Sequence, residues 1–142
     1  MTERLAACLA TCSVGLLVLI GCGKGADLKG YSEPLEAVSR AELWIGRLQG
    51  AMAQPDYTPV QEMFLGRVQN IVEVELPYSL SRKLRDASAK QQIQPHVERL
   101  QKVFTEQVYE PAFADPMNLD EARAGVEQCL AIVAEMKAIL GG

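Results

Sequence analysis

The chain has 142 residues and a formal net charge of −4, and 49% of its residues are hydrophobic. That length suits one domain better than two, and a mean hydropathy of +0.03 excludes a chain that stays disordered for want of core-forming side chains. The acidic balance also excludes the broad basic footprint of a nucleic-acid-binding domain.

The first segment reads as an export signal. Arg4 and the amino terminus supply positive charge, Leu5 to Ile20 form an apolar run that is densest at Leu16, Leu17, Val18, Leu19 and Ile20, and the small residue Gly21 precedes Cys22. A charged head, an apolar stretch and a small-residue exit are the parts of a secretory signal. The run is shorter than the roughly 20 residues that a spanning helix needs.

The quartet Leu19, Ile20, Gly21, Cys22 resembles the lipobox of bacterial lipoproteins. The resemblance covers the signal alone. It implies cleavage between Gly21 and Cys22, a diacylglycerol on the Cys22 thiol and further acylation, of the palmitate type, at the new amino terminus. Two or three acyl chains hold a protein firmly where one binds reversibly. The residue after the lipobox cysteine is Gly23 rather than the aspartate that retains Gram-negative lipoproteins at the inner membrane, so the resemblance points to the outer membrane, with the domain facing the periplasm. An ordinary signal peptide or a short anchor with a chance cysteine is the other reading.

Residues 22–31, with Gly23, Lys24, Gly25, Ala26, Asp27, Leu28, Lys29 and Gly30, lack apolar periodicity and read as a flexible tether. Of the four cysteines, Cys8 and Cys12 fall in the signal and Cys22 is the lipid site. Cys129 is left alone in the processed chain, which predicts no intrachain disulfide.

Residues 32–142 carry helix start signals and apolar residues at helical spacing. Ser32 and Pro34 open a first helix with the stripe Val38, Ala41, Ile45, Leu48 and Met52, closing near Gln54 and Pro55. Thr58, Pro59 and Gln61 form a capping box that predicts a second helix, with Val60, Phe64, Val68 and Ile71 buried, Met63 and Leu65 flanking, and an end at Leu76 and Pro77. A third helix is predicted from Ser79 or Ser81 through Leu80, Leu84 and Ala87. Beyond it Ile93, Val97, Leu100, Phe104 and Val108 resume the pattern around Pro95, whose missing amide predicts a kink or a break. One bent helix and two short ones both fit.

Tyr109 to Met117, with Pro111 and Pro116, reads as a loop. Asn118 and Glu121 then cap a last helix bearing Leu119, Ala122, Val126, Cys129, Val133, Met136 and Leu140, ended by Gly141 and Gly142. Short connections favour antiparallel neighbours, so the expected fold is all-α, an antiparallel up-down four-helix bundle with its third helix kinked or broken near Pro95. A loose bundle of five shorter helices is the alternative.

Bundles of this kind often hold haem or paired iron, yet the chain has no Cys-x-x-Cys-His run, and its single histidine cannot supply two Glu-x-x-His motifs. No cofactor or metal is expected. His96 beside Pro95 reads either as a pH-sensitive group or lone ligand, or as an ordinary surface histidine, and Cys129 either as a reactive thiol or as a small core hydrophobe. Trp44 could stack on a ligand or pack at a helix interface. Gly46 and Gly50 have the spacing that lets a neighbouring backbone approach, internally or in a dimer. Glu98, Glu106, Glu121 and Glu127 are spread along helix surfaces, and no activated serine or cysteine with a base is apparent.

Arg82, Lys83, Arg85 and Lys90 form the one basic cluster on this acidic chain, following Leu76, Pro77, Tyr78 and Leu80. It suits phospholipid headgroups or an acidic partner, or it is simply a solvated face with Asp86 nearby. Together these features predict a non-enzymatic, lipid-anchored envelope protein whose domain binds another protein or the cell wall. A sensor or carrier of a small ligand, opening at Pro95 beside Trp44, is the second hypothesis.

Overall fold

The computed structural model describes residues 33–59 and 63–142. The signal, Cys22, the tether and residues 60–62 with the capping-box Gln61 lie outside the described residues.

The described residues form a helical bundle of four rods with no strand among them. The first rod is helix α1, Pro34–Met52, with Pro34 at its first position, where the missing amide costs nothing. The second joins α2, Phe64–Asn70, a π turn, Ile71–Glu75, and α3, Leu76–Lys83. The third joins α4, Ala87–Val103, a second π turn, Phe104–Tyr109, and α5, Glu110–Phe113. The fourth is α6, Leu119–Ile139.

Three boundaries differ from those the pattern predicts. Helical backbone in the second rod begins at Phe64 with Met63 at the cap, so the Thr58 and Pro59 start is not used; Pro59 sits in a turn. Leu76 and Pro77 do not end this rod, and Ser79 and Ser81 lie inside it. The predicted loop from Tyr109 is largely helix, the connection being confined to residues 114–118.

Proline explains the second and third differences together. Both π turns end two residues before a proline, Pro77 in one rod and Pro111 in the other. In the first, the Leu76 amide donates to Ile71, five residues back. The Val72 carbonyl therefore receives nothing from Leu76, and Pro77 has no amide to offer. Instead the side-chain amide of Gln101, on α4, donates to it at 3.3 Å. In the second, the Glu110 amide donates to Thr105, and Pro111 has no amide for the Gln107 carbonyl four residues back. That carbonyl packs directly on Gly125 of α6: a Cβ there would lie 2.7 Å from the Gln107 carbonyl carbon and 2.8 Å from Val108 Cγ2. A widened turn absorbs each proline that would otherwise break an α-helix.

The extra residue also resets which side chains face inward. Leu65, Val68, Ile71, Val72, Leu76 and Leu80 are buried, the step from Ile71 to Leu76 spanning the wide turn, whereas Phe64 is only half-buried and Met63 is exposed. The α1 stripe of Val38, Ala41, Ile45, Leu48 and Met52 is fully buried, as is the α6 seam of Ala122, Val126, Cys129, Val133 and Met136, joined by Ile132. Ala87 is exposed. Helix α4 continues through Pro95 from Ala87 to Val103.

Asn118 accepts from the Glu121 amide at 3.2 Å, and its own amide donates to the Glu121 carboxylate at 2.7 Å. At the other end of α6 the Gly142 amide donates to Lys137 and the Gly141 amide to Ala138, with Gly141 at φ 79°. This is a Schellman closure, and the left-handed conformation it needs is cheap for glycine.

The glycines differ sharply. Gly46 and Gly50 are exposed, with nothing within 4 Å of a would-be Cβ, so they do not serve a close internal contact. Gly125→Ala is expected to destabilise by about 3 kcal/mol, because the clash is with backbone. Gly46→Ala and Gly50→Ala should each stabilise by about 0.5–1 kcal/mol by removing helix-interior glycine. Urea denaturation of the three variants checks both signs.

Candidate functional site

The basic cluster forms around the corner where α3 passes into α4. Helix α3 stops at Lys83 because Leu84 turns extended, φ −74° and ψ 112°, while its amide still donates to Leu80. Asp86 then caps α4, its carboxylate accepting from the Ala89 amide at 2.7 Å. The connection is only residues 84–86 long, so Leu84 is drawn into the core, 9% exposed, while Arg82 and Arg85 stay exposed on either side of it.

The four bases are held differently. Lys83 Nζ lies 3.7 Å from Glu33, at the start of α1. The Arg82 guanidinium sits over the Tyr78 ring, 5.1 Å from its centroid. Arg85 and Lys90 are exposed. Among the described residues Arg82, Arg85 and Lys90 have no carboxylate within ion-pairing distance, since the Asp86 carboxylate beside them caps α4. The structure thus brings the predicted cluster to one corner and leaves three of its charges facing solvent.

A half-open cleft of about 240 Å3 runs between the two helices below this corner, with Pro77, Leu80 and Leu84 on one wall, Ile93 and Val97 on the other, and Lys90 and Gln94 on its polar side. The sequence reading assigned the apolar members to core stripes. Its polar members were missed, although Lys90, Gln94 and Gln101 follow the α4 stripe at intervals of one or two helical turns, a signal that one side of that stripe meets solvent.

The other singled-out residues lie elsewhere. Trp44 packs on Phe64, with ring centroids 5.9 Å apart, and the guanidiniums of Arg47 and Arg67 lie 4.6 and 5.5 Å from its ring centre. It does not line the cleft. His96 reaches across to α6: Nε2 lies 3.0 Å from the Glu135 carboxylate, which Arg99 also holds at 3.3 Å, and Nδ1 lies 3.0 Å from the Gln92 carbonyl. Glu121 belongs to the α6 cap; Glu98 accepts from Gln94 at 3.0 Å; Glu106 and Glu127 are exposed. Among the described residues no group of three His, Cys, Asp or Glu side chains could hold a metal ion, and no helix is long and apolar enough to cross a membrane.

Comparison with known protein families, with curated proteins and with solved structures finds no match to this chain.

Cys129 is a buried member of the α6 seam, and burial pushes its thiol up from 9.0 to about 12. Between those values the unfolded chain releases its proton while the folded chain keeps it. The thiol's contribution to stability is intact below pH 9 and declines as the pH climbs. Wild type should therefore lose about 1.4 kcal/mol more than Cys129→Ala for each pH unit in that window, read from urea unfolding of the two proteins above and below it.

Proposed function

We propose that the chain is an envelope lipoprotein, acylated at Cys22 and facing the periplasm from a membrane surface, the outer membrane in preference to the inner, with a domain that acts as a non-enzymatic contact module. Its contact surface is the α3–α4 corner, and its partner is an acidic component of the envelope: a protein, a cell-wall polymer or the lipid layer itself. The observation that carries this reading is the grouping of Arg82, Arg85 and Lys90, none with a carboxylate partner among the described residues, around an apolar cleft. Charge beside exposed apolar surface is the composition of a binding rim, where electrostatics sets approach and apolar burial sets residence. The lipobox-like Leu19, Ile20, Gly21 and Cys22 supply the location.

The finer reading of the fold belongs here too. The four rods run antiparallel, up and down in chain order. Supporting it, Arg123 near the start of α6 donates to the Met52 carbonyl at the end of α1 at 2.8 Å, while Lys137 near the end of α6 pairs with Glu42 in the first half of α1 at 2.7 Å. A bend in α4 at Pro95 is part of the same reading, since Pro95 has no amide for the Gln91 carbonyl four residues back.

The cleft also favours a second reading, a carrier of a small apolar ligand. Trp44 is on the Phe64 side of α1, so such a ligand would leave tryptophan fluorescence unchanged, and its binding would have to be followed with an environment-sensitive dye.

Cysteine accessibility tests the leading reading. In envelope preparations, Arg85→Cys should be shielded from a membrane-impermeant maleimide while Asp115→Cys is labelled freely, Cys129 staying silent because it is buried. Adding Cys22→Ala should release the shielding at position 85. Equal labelling of positions 85 and 115 in the acylated chain would contradict the proposal.

A further inference from the structure

The corner is placed where the chain enters the domain, and this restricts what it can meet. Glu33 is the first described residue, and Lys83 lies 3.7 Å from its carboxylate, so the basic connection sits beside the point at which residues 22–32 arrive. Even fully extended, that stretch spans only about 36–40 Å. The far end of the domain is marked by Met52, which accepts from Arg123, and the length of α1 sets it about 28 Å further away.

The charges at the entry end are the wrong sign for an acidic protein's general surface and the right sign for anionic lipid. The chain carries −4 overall, yet Arg82, Lys83, Arg85 and Lys90 gather here against Glu33 and Asp86, one spent on Lys83 and the other on the α4 cap. Beside them Tyr78 and Val74 follow Arg82 back along the same face at helical intervals of four, 36% and 56% exposed. A tyrosine flanked by arginine, with an aliphatic residue one turn away, is the chemistry of the headgroup boundary, where the ring lies among the glycerol groups and the guanidinium meets phosphate.

We propose that the α3–α4 corner docks on the anionic phospholipid headgroups of the leaflet that holds the acyl chains of Cys22, with Arg82, Arg85 and Lys90 on phosphate and Tyr78 and Val74 at the interface. This rests on the lipoprotein reading and names the partner of the same surface. Docking fixes the orientation of the domain: the entry end faces the membrane, and the exposed Phe113 and Met117, near the start of α6, face away from it.

Vesicle partition of the full chain is the test. The anchor segment contributes equally to vesicles of phosphatidylcholine with and without phosphatidylglycerol, so the ratio of the two partition coefficients reads the corner alone. Wild type should favour the anionic vesicles at least about tenfold, and the preference should disappear in high salt and in Arg82→Glu/Arg85→Glu/Lys90→Glu. The salt titration needs no variant and stands even if the triple substitution perturbs folding, which circular dichroism would reveal. A wild-type ratio near one would overturn the proposal, as would an unchanged ratio in the folded variant. If position 85 is nevertheless shielded in envelopes, the contact is with a protein or a wall polymer and the lipid assignment fails while the lipoprotein reading stands.

Discussion

Two prolines inside rods constrain the rest of this fold. An interior proline deletes an amide and pushes its ring at the preceding turn, at a cost of about 3 kcal/mol or more in a regular α-helix. Here Pro77 and Pro111 are each preceded by a widened turn, and the strain is converted into a demand for specific neighbours. The Val72 carbonyl is met by Gln101 from α4, and the Gln107 carbonyl is accommodated by the absence of a side chain at Gly125 on α6. The second and third rods therefore stay continuous only in the company of the third and fourth.

The corner follows from that continuity. Had the second rod ended at Leu76, the segment bearing Tyr78, Arg82 and Lys83 would have been a loop, and its charges would not share a face with Lys90. Because the rod continues to Lys83 and turns through residues 84–86, Leu84 enters the core and the bases are splayed around it. Magnitudes decide which contact holds the turn. Burying a leucine contributes about 2 kcal/mol, whereas an ion pair such as Lys83 with Glu33, the glutamate 73% exposed, contributes at most about 1 kcal/mol. The ion pair marks where the chain enters; the leucine keeps the corner closed. Arg82, Arg85 and Lys90 are left out of this economy of contacts and are available to a partner.

Much of the helical pattern was legible in the residues themselves. The α1 stripe and the α6 seam are regular over five turns, and the Asn118 cap and the Gly141 and Gly142 closure use local chemistry that needs no distant partner. The second and third rods were misdivided because proline is read locally as a stop, whereas its accommodation depends on Gln101 and Gly125, which lie far along the chain from Val72 and Gln107. The same holds for sites. Arg82, Lys83, Arg85 and Lys90 could be grouped from their proximity in sequence, but the cleft between their helices depends on a corner that the pattern placed elsewhere. The Glu135 partner of His96 is likewise a tertiary fact, as is the distance of Trp44 from the cleft.

The coupling between Pro77 and Gln101 tests the constraint most directly, through a double-mutant cycle read by urea unfolding. In the wild-type background Gln101→Leu should cost about 1–2 kcal/mol, because it strands a part-buried carbonyl. In a Pro77→Ala background, where the rod regains a backbone amide and the turn can close to α-helical spacing, the same substitution should cost far less. Equal losses in the two backgrounds would show that Gln101 does not serve the carbonyl freed by the proline, and would contradict the account.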